Sequence, residues 1–109
     1  MTAHFTVTIH ANPGRGEALV AMLNDFLESA VAFGGLLDLK VLQDAQDPDR
    51  ILIIEEWVSR ERCKEYATWR MGDERFPVMM TEIAKGPSPR EHTARITHRS
   101  SAADSSVGG

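Results

Sequence analysis

The sequence predicts one α+β domain in which strands and helices follow the order βαββαβ. Three observations support this prediction. Apolar residues alternate near the start of the chain, recur at helical spacing in the next segment, and form an unbroken run near its middle. With 109 residues the chain can build one hydrophobic core but not two. We therefore expect a domain over residues 1–98 and a tail at 99–109, whose small and polar residues predict disorder.

The first strand and the first helix have the clearest patterns. Residues 4–11 alternate between an apolar and a polar face: Phe5, Val7 and Ile9 against His4, Thr6, Thr8 and His10. A turn follows, and Glu17 opens a helix with one apolar stripe, formed by Leu19, Met22, Leu23, Phe26, Leu27 and Ala30. Gly34 and Gly35 end this helix, because glycine readily adopts the left-handed conformation found just past a helix.

The middle of the chain predicts a hairpin. Residues 36–43 form the second expected strand. The polar loop after it is too short for a crossover, so the chain returns antiparallel into a third strand at 51–58. Two sets of side chains alternate along this strand: Ile53, Glu55 and Trp57 on one face, and Leu52, Ile54 and Glu56 on the other. A strand that presents a carboxylate and an indole together is expected to form the wall of a pocket.

The second half of the domain is less regular. Ser59 is the expected N-cap of a second helix that ends at Met71. A short third helix is predicted from an apolar set, namely Phe76, Met79, Met80 and Ile83, with Pro77 in its first turn. The segment 86–89 is rich in glycine and proline and predicts a break, and a weak pattern at 93–98 predicts the last strand.

Charge and cysteine content exclude several classes of protein. A formal net charge of −4 argues against a general nucleic-acid binder. Cys63 is the single cysteine, which excludes an internal disulfide and suits a reducing compartment. No apolar run approaches the roughly 20 residues that span a bilayer, and no signal-peptide pattern is visible. We therefore expect a cytoplasmic protein that binds neither nucleic acid nor membrane.

The predicted sheet has more apolar surface than two helices can cover. Helices on one side of a four-stranded sheet leave its other face open. The strands at 36–43 and 51–57 nevertheless carry apolar residues on both faces. A second copy of the chain, packed sheet to sheet, is the simplest cover, so we expect a homodimer.

The element order and the run Ile54-Glu55-Glu56-Trp57-Val58-Ser59-Arg60-Glu61 resemble the antibiotic biosynthesis monooxygenase (ABM) family, which includes the quinol monooxygenases. The Pro13-Gly14 turn and the loop Asp47-Pro48-Asp49-Arg50 resemble that family as well. The resemblance covers roughly residues 3–98. It implies a ferredoxin-like domain with an antiparallel four-stranded sheet, assembled as a dimeric α+β barrel.

The resemblance also implies a monooxygenase that uses no cofactor. A quinol- or anthrone-type aromatic substrate would be deprotonated in a pocket between sheet and helices, and its carbanion would pass an electron to dioxygen. This chain departs from the pattern at Tyr66 and Met71, where relatives often carry histidines. Haem-degrading relatives use an Asn, a Trp and a His where this chain has Thr6 or Thr8, Tyr66 and Phe76, so haem binding is not expected.

Three residues are candidate catalytic groups: Tyr66, Glu55 and His10. Glu55 would accept a proton in an apolar pocket, and the alternative is a structural ion pair with an arginine. Tyr66 would orient a substrate hydroxyl, and the alternative is a core residue with a wet tip. His10 lies on the polar face of the first strand, which either lines a cavity or makes hydrogen bonds across a dimer interface.

Seven further residues are candidates for binding an aromatic or quinone-like molecule: Trp57, Trp69, Arg70, Thr8, Met71, Phe76 and Met80. Their rings and flexible methionine side chains suit a flat ligand, although their spacing also suits a core. Arg70 would hold a phenolate or quinone oxygen, with a solvent-facing charge as the alternative. The four histidines lack metal-ligand spacing, so no metal site is expected.

Two other functions fit the same scaffold. One is a non-catalytic dimeric module that binds a small ligand, and the other is an isomerase of a small carbonyl compound. An oxygenase needs a closed apolar cavity that contains a proton acceptor, whereas a binding module needs only the cavity.

Overall fold

The computed structural model describes residues 2–92, which contain the predicted order of elements. Along the chain these are β1 (Ala3–Ala11), α1 (Gly16–Phe33), β2 (Leu36–Gln43), β3 (Arg50–Trp57), α2 (Arg60–Arg70), α3 (Arg75–Met80) and β4 (Ile83–His92). The four strands form one antiparallel sheet in the order β2-β3-β1-β4. The predicted ferredoxin-like α+β fold is confirmed.

The two central strands, β1 and β3, carry the core on the face that the helices cover. Val7 pairs with Ile53 and Ile9 pairs with Ile51, so these four side chains point to the same side. They pack against the apolar stripe of α1, whose buried residues are Leu19, Leu23, Phe26, Leu27 and Ala30. Burial of each such aliphatic side chain stabilises the fold by roughly 1.5–3 kcal/mol. The alternation predicted for β3 and the stripe predicted for α1 are both confirmed.

The first turn of α1 is capped by a residue of the β2–β3 loop. The Asp49 carboxylate accepts hydrogen bonds from the backbone N–H groups of Gly14 at 2.9 Å and Gly16 at 2.8 Å. A carboxylate here pairs two N–H groups next to the positive end of the helix dipole. Gly16 has to be a glycine, because a Cβ atom would overlap the Pro48 carbonyl. The loop and the start of the helix therefore fix each other.

The other end of α1 is closed by Arg62 from α2. Its guanidinium donates to the carbonyl oxygens of Phe33 at 2.7 Å and Gly34 at 3.0 Å. The last turn of α1 holds no basic residue, so Arg62 supplies the positive charge that the C-terminal end of a helix dipole favours. The predicted helix end at Gly34 is confirmed. So is the predicted N-cap Ser59, which accepts from the Arg62 N–H at 3.1 Å.

The last strand differs from the prediction. Ile83 begins β4 rather than closing the third helix, and β4 continues through the segment 86–89, where a break was predicted. The break prediction is wrong because β4 lies at the edge of the sheet, where the missing N–H of a proline costs no ladder hydrogen bond. Gly86 lets β4 pass close to β1, since a Cβ atom at this position would lie 2.7 Å from the Thr8 carbonyl oxygen. The strand predicted at 93–98 and the tail at 99–109 lie outside the described residues.

The face of the sheet opposite the helices is not covered by any described element. Leu42 pairs with Leu52 on this face, and Ile54 follows along β3. The polar residues of β1 lie beside them. Among the helices of residues 2–92, none is long and apolar enough to cross a membrane.

We predict that Asp49→Ala lowers the free energy of unfolding by about 1–2 kcal/mol, because two N–H groups at the start of α1 lose their acceptor. Urea denaturation followed by circular dichroism measures this difference. Asp38→Ala is the matched control, since the side chain of this exposed aspartate forms, within residues 2–92, only a 3.9 Å contact with Lys40. Equal stability of the two variants would contradict the capping role.

Candidate functional site

A small cavity lies between the sheet and the helices. Its volume is about 30 Å³ and most of its lining is apolar, including Val7, Leu23, Ile53, Phe76 and Met79. Two charged side chains, Glu55 of β3 and Arg70 of α2, line it as well. A carboxylate and a guanidinium in one apolar cavity are the feature that marks this place as a candidate site.

Glu55 is a buried carboxylate, with 8% of its surface exposed. The alternation of β3 turns it toward the helices, where its Oε1 accepts a 2.7 Å hydrogen bond from the indole N–H of Trp57. Trp57 is fully buried on the same face. Burying a carboxylate without a donor is strongly destabilising, and the indole N–H reduces this cost. The hydrogen bond of Glu55 thus goes to Trp57 rather than to the arginine that the sequence left as an alternative.

Arg70 brings a positive charge to the same cavity from the last residue of α2. Its guanidinium carbon lies 5.7 Å from the centre of the Tyr66 ring and 5.8 Å from that of Phe76. Its Nε atom is buried and has no hydrogen-bond partner among residues 2–92. A buried donor without an acceptor is costly, so this N–H favours a ligand oxygen, above all an anionic one. This geometry supports the oxygen-binding interpretation of Arg70 over that of a solvent-facing charge.

Tyr66 lies beside the cavity, in a second core cluster with Trp57 and Ala30. Its ring centre is 5.4 Å from that of Trp57. Ser29 donates its hydroxyl hydrogen to the Phe26 carbonyl at 2.6 Å, so its oxygen is left to accept from the Tyr66 hydroxyl at 3.2 Å. Burial raises the pKa of the Tyr66 phenol. The Tyr66 proton is therefore held inside the core, which favours the core interpretation of this residue.

The other predicted ring-binding residues are divided between the cavity and the surface. Phe76 lines the cavity, whereas Trp69 is half-exposed on α2 and Met71 is 68% exposed just after it. Met80 is partly buried, but the residue before it, Met79, is the methionine that lines the cavity. Adjacent residues of a helix point about 100° apart, and the sequence did not locate the start of α3 closely enough to separate them.

His10 and Thr8 lie on the opposite face of the sheet from Glu55. Thr8 pairs with Leu52 and His10 pairs with Arg50, all on the face without helices. The sheet itself therefore separates these two residues from the cavity. Their predicted roles in binding or catalysis are not supported by the geometry within one chain, and hydrogen bonding across a dimer interface stays a prediction.

The cavity offers a proton acceptor and an oxyanion-binding donor in apolar surroundings. Glu55 keeps one carboxylate oxygen that the indole does not engage, and Arg70 keeps its Nε–H. Such a pair can remove a proton from a weak carbon or oxygen acid and stabilise the resulting anion. In the described part of the chain, no three His, Cys, Asp or Glu side chains come together to hold a metal ion.

Cys63 offers a way to measure the charge on Glu55. Burial, then the nearby Glu55 carboxylate, raises the pKa of the Cys63 thiol from 9.0 to about 11, while Arg70 opposes this rise. We predict that Glu55→Gln lowers this pKa and so speeds alkylation of Cys63 by iodoacetamide at mildly alkaline pH. Glu56→Gln, on the other face of β3, is the matched control and leaves the rate unchanged. Identical rates for the Glu55→Gln variant and the unmodified chain would contradict a charged Glu55 near this thiol.

Comparison with known proteins agrees with the observed fold. Residues 2–68 match the family described as antibiotic biosynthesis monooxygenase. A solved structure from Chloroflexus aurantiacus bearing that name is 27% identical, with a TM-score of 0.75 over 91% of this chain and 98% of the other. A structure from Nitrosomonas europaea with the same name is 16% identical, with a TM-score of 0.66 over 84% and 88% of the two chains.

A third structure, from Pseudomonas aeruginosa, is 20% identical, with a TM-score of 0.69 over 87% of this chain and 95% of the other. At these identities the second and third structures show the fold alone. No curated protein matches the chain. The family match nevertheless extends over more than half of the sequence, includes both Glu55 and Trp57, and coincides with the observed fold. The chain therefore belongs to the antibiotic biosynthesis monooxygenase family.

Proposed function

We propose that this chain is a cofactor-independent monooxygenase that oxidises a quinol- or anthrone-type aromatic substrate with dioxygen. The observation that carries the proposal is that Glu55 and Arg70 line one apolar cavity, and that the buried Nε–H of Arg70 has no hydrogen-bond partner among residues 2–92. Membership of the ABM family supports the reaction class. The chemistry follows from what these two side chains can do.

In the proposed reaction Glu55 removes a proton from the reactive carbon of an anthrone-type substrate. The resulting carbanion passes one electron to dioxygen, and the two radicals combine to form a peroxide at that carbon. The proton held by Glu55 returns to the peroxide, and loss of water leaves a carbonyl group. One oxygen atom thus enters the product and the other leaves as water, so the substrate itself supplies the electrons.

Arg70 stabilises the anion that this sequence requires. Deprotonation of an anthrone places most of the negative charge on its oxygen, and the Nε–H of Arg70 is a buried donor for that oxygen. The apolar lining strengthens this interaction, because charges attract more strongly where water is excluded. Trp57 positions the base, since its indole N–H holds one oxygen of Glu55 at 2.7 Å.

We also infer that the active species is a homodimer joined through the sheet face that the described helices leave open. Leu42, Leu52 and Ile54 give this face an apolar centre. Contiguous apolar surface of this kind is more often an interface than free surface. His10 and Thr8 would then lie at the interface, which accounts for polar residues on a central strand.

We predict that Glu55→Gln reduces enzyme-dependent oxygen uptake by about 10²–10⁴-fold, because the general base is lost. Arg70→Gln reduces it by about 10²–10³-fold, because the oxyanion loses a donor. Uptake is measured with a metal-stripped preparation and a panel of hydroquinones and anthrones. Glu28→Gln, at an exposed carboxylate of α1, is the matched control and retains activity.

Tyr66→Phe separates this assignment from one in which the phenol takes part. It removes only a hydroxyl that is bonded within the core, so we expect little change in oxygen uptake. Uptake equal to the buffer blank across the whole panel would move the interpretation to a ligand-binding module. Equal activity of the Glu55→Gln and Glu28→Gln variants would contradict the assignment of the base.

We predict that Leu52→Glu converts the homodimer to a monomer, because a carboxylate would be buried in the apolar centre of the interface. Sedimentation velocity at micromolar concentration measures the change. Val31→Glu, at an exposed position of α1, is the matched control and stays dimeric. A monomeric unmodified chain would contradict the interface.

A further inference from the structure

A second, larger depression lies on the other side of the cavity wall. It is a groove of about 310 Å³ between α1 and α3. Its floor and sides are apolar, formed by Met22 and Phe26 of α1 and by Val78 and Met79 of α3. Its charged lining consists of Asp25, Glu74 and Arg75.

The two spaces differ in what they can hold. The inner cavity of about 30 Å³ is far smaller than the roughly 150 Å³ of a cavity that binds benzene, so no aromatic ring fits there. The groove has about 310 Å³, which is the lower end of the range of ligand pockets, about 300–1,000 Å³. A substrate with fused rings therefore needs the groove for its outer rings, and its reactive ring can reach Glu55 only if the wall between the two spaces moves.

Phe26 and Met79 line both spaces and so form the wall between them. Phe26 is fixed by its neighbours, with the Phe76 ring centre at 6.0 Å and the Arg75 guanidinium carbon at 5.5 Å from its ring centre. Met79 is the adaptable part of the wall, because its side chain is unbranched and flexible. Met79 is therefore the part of this wall that can move aside with the least rearrangement.

We propose that the α1–α3 groove binds the outer rings of a neutral, flat, fused-ring aromatic molecule, and that Met79 is the gate whose movement lets the ring that carries the acidic hydrogen and the oxygen reach Glu55 and Arg70. The role of Met79 as a gate toward Glu55 and Arg70 rests on the proposed function. Ring binding in the groove is inferred only from the volume and the apolar lining of the groove.

The attachment of α3 suits such a gate. Arg75 holds this short helix to α1 by donating to the Asp25 carboxylate and to the Asp25 carbonyl, each at 3.1 Å. Arg75 also bonds to Asp73 at 2.6 Å, within its own segment. Exposed ion pairs stabilise a contact only weakly, so these bonds offer little resistance to a local adjustment of α3, which packs on the core through Met79 and Phe76.

The charges of the groove also restrict the ligand. Asp25 and Glu74 give two negative charges against the single positive charge of Arg75, and Arg75 is already paired with two aspartates. A carboxylate or phosphate on the outer part of the ligand would therefore be disfavoured. This argues for neutral rings rather than an acidic cofactor or nucleotide.

Methionine side chains allow a direct test. The full chain, labelled at its methionine methyl groups, is titrated with 2-naphthol without oxygen, and the methyl resonances are followed by NMR. We expect the resonances of Met22 and Met79 to shift, while that of the exposed Met71 does not. Shifts confined to Met71, or no shift at any methionine, would overturn the proposal.

A pair of variants tests the location by affinity. Val78 and Val31 are similarly exposed helical valines, at 57% and 59%, but only Val78 lines the groove. Val78→Glu is expected to weaken 2-naphthol binding roughly fivefold through lost apolar contact, and Val31→Glu to leave it unchanged. Equal affinities of the two variants would contradict binding in the groove.

The same titration separates failure of the groove from failure of the proposed reaction. Because the titration is carried out without oxygen, it measures binding alone. Binding in the groove together with absent oxygen uptake would refute the monooxygenase and leave the groove as a ligand site. A different result would refute binding in the groove and leave the proposed monooxygenase. That result is equal oxygen uptake by the Val78→Glu variant and the unmodified chain at low substrate concentration.

Discussion

A carboxylate buried on the central strand is the constraint on which the site depends. Glu55 lies among apolar side chains and is tolerated there because the indole N–H of Trp57 reaches it from two residues away on the same face. This arrangement requires an extended backbone, since only alternation places residues two apart side by side. The alternation of β3 therefore places Glu55 beside Trp57, and α2 brings Arg70 to the same cavity. The apolar residues of α1 and α3 then complete the walls of the cavity.

Most of the fold could be predicted from the sequence because its information is local. Alternation in β1 and β3 and the stripe of α1 each depend on neighbours only a few residues apart. β4 could not be predicted this way, because its proline-containing segment is acceptable only at a sheet edge, and edge position is a property of the whole sheet. The caps supplied to α1 by Asp49 and Arg62 escaped prediction for the same reason, since both come from distant parts of the chain.

The site could be predicted only in part. Glu55 and Trp57 were identified because one strand carries both, and Arg70 because a cation in that region suits an oxyanion. His10 was placed with them because a polar face on a central strand suggests a cavity, whereas in the sheet that face lies on the side without helices. Residues such as Leu23 and Phe26 were taken for core alone, since helical spacing is identical for a side chain in a core and one that lines a cavity.

The two caps of α1 have a consequence for how the chain folds during its synthesis. The helix ends at Phe33, but its first turn is completed by Asp49 and its last turn by Arg62. A nascent chain that has reached only β2 thus holds an amphipathic helix with both ends open and with β1 alone, without β3, to cover its apolar stripe. Translation must pass residue 62 before the helix is closed, so the N-terminal half depends on the rest of the domain rather than forming ahead of it.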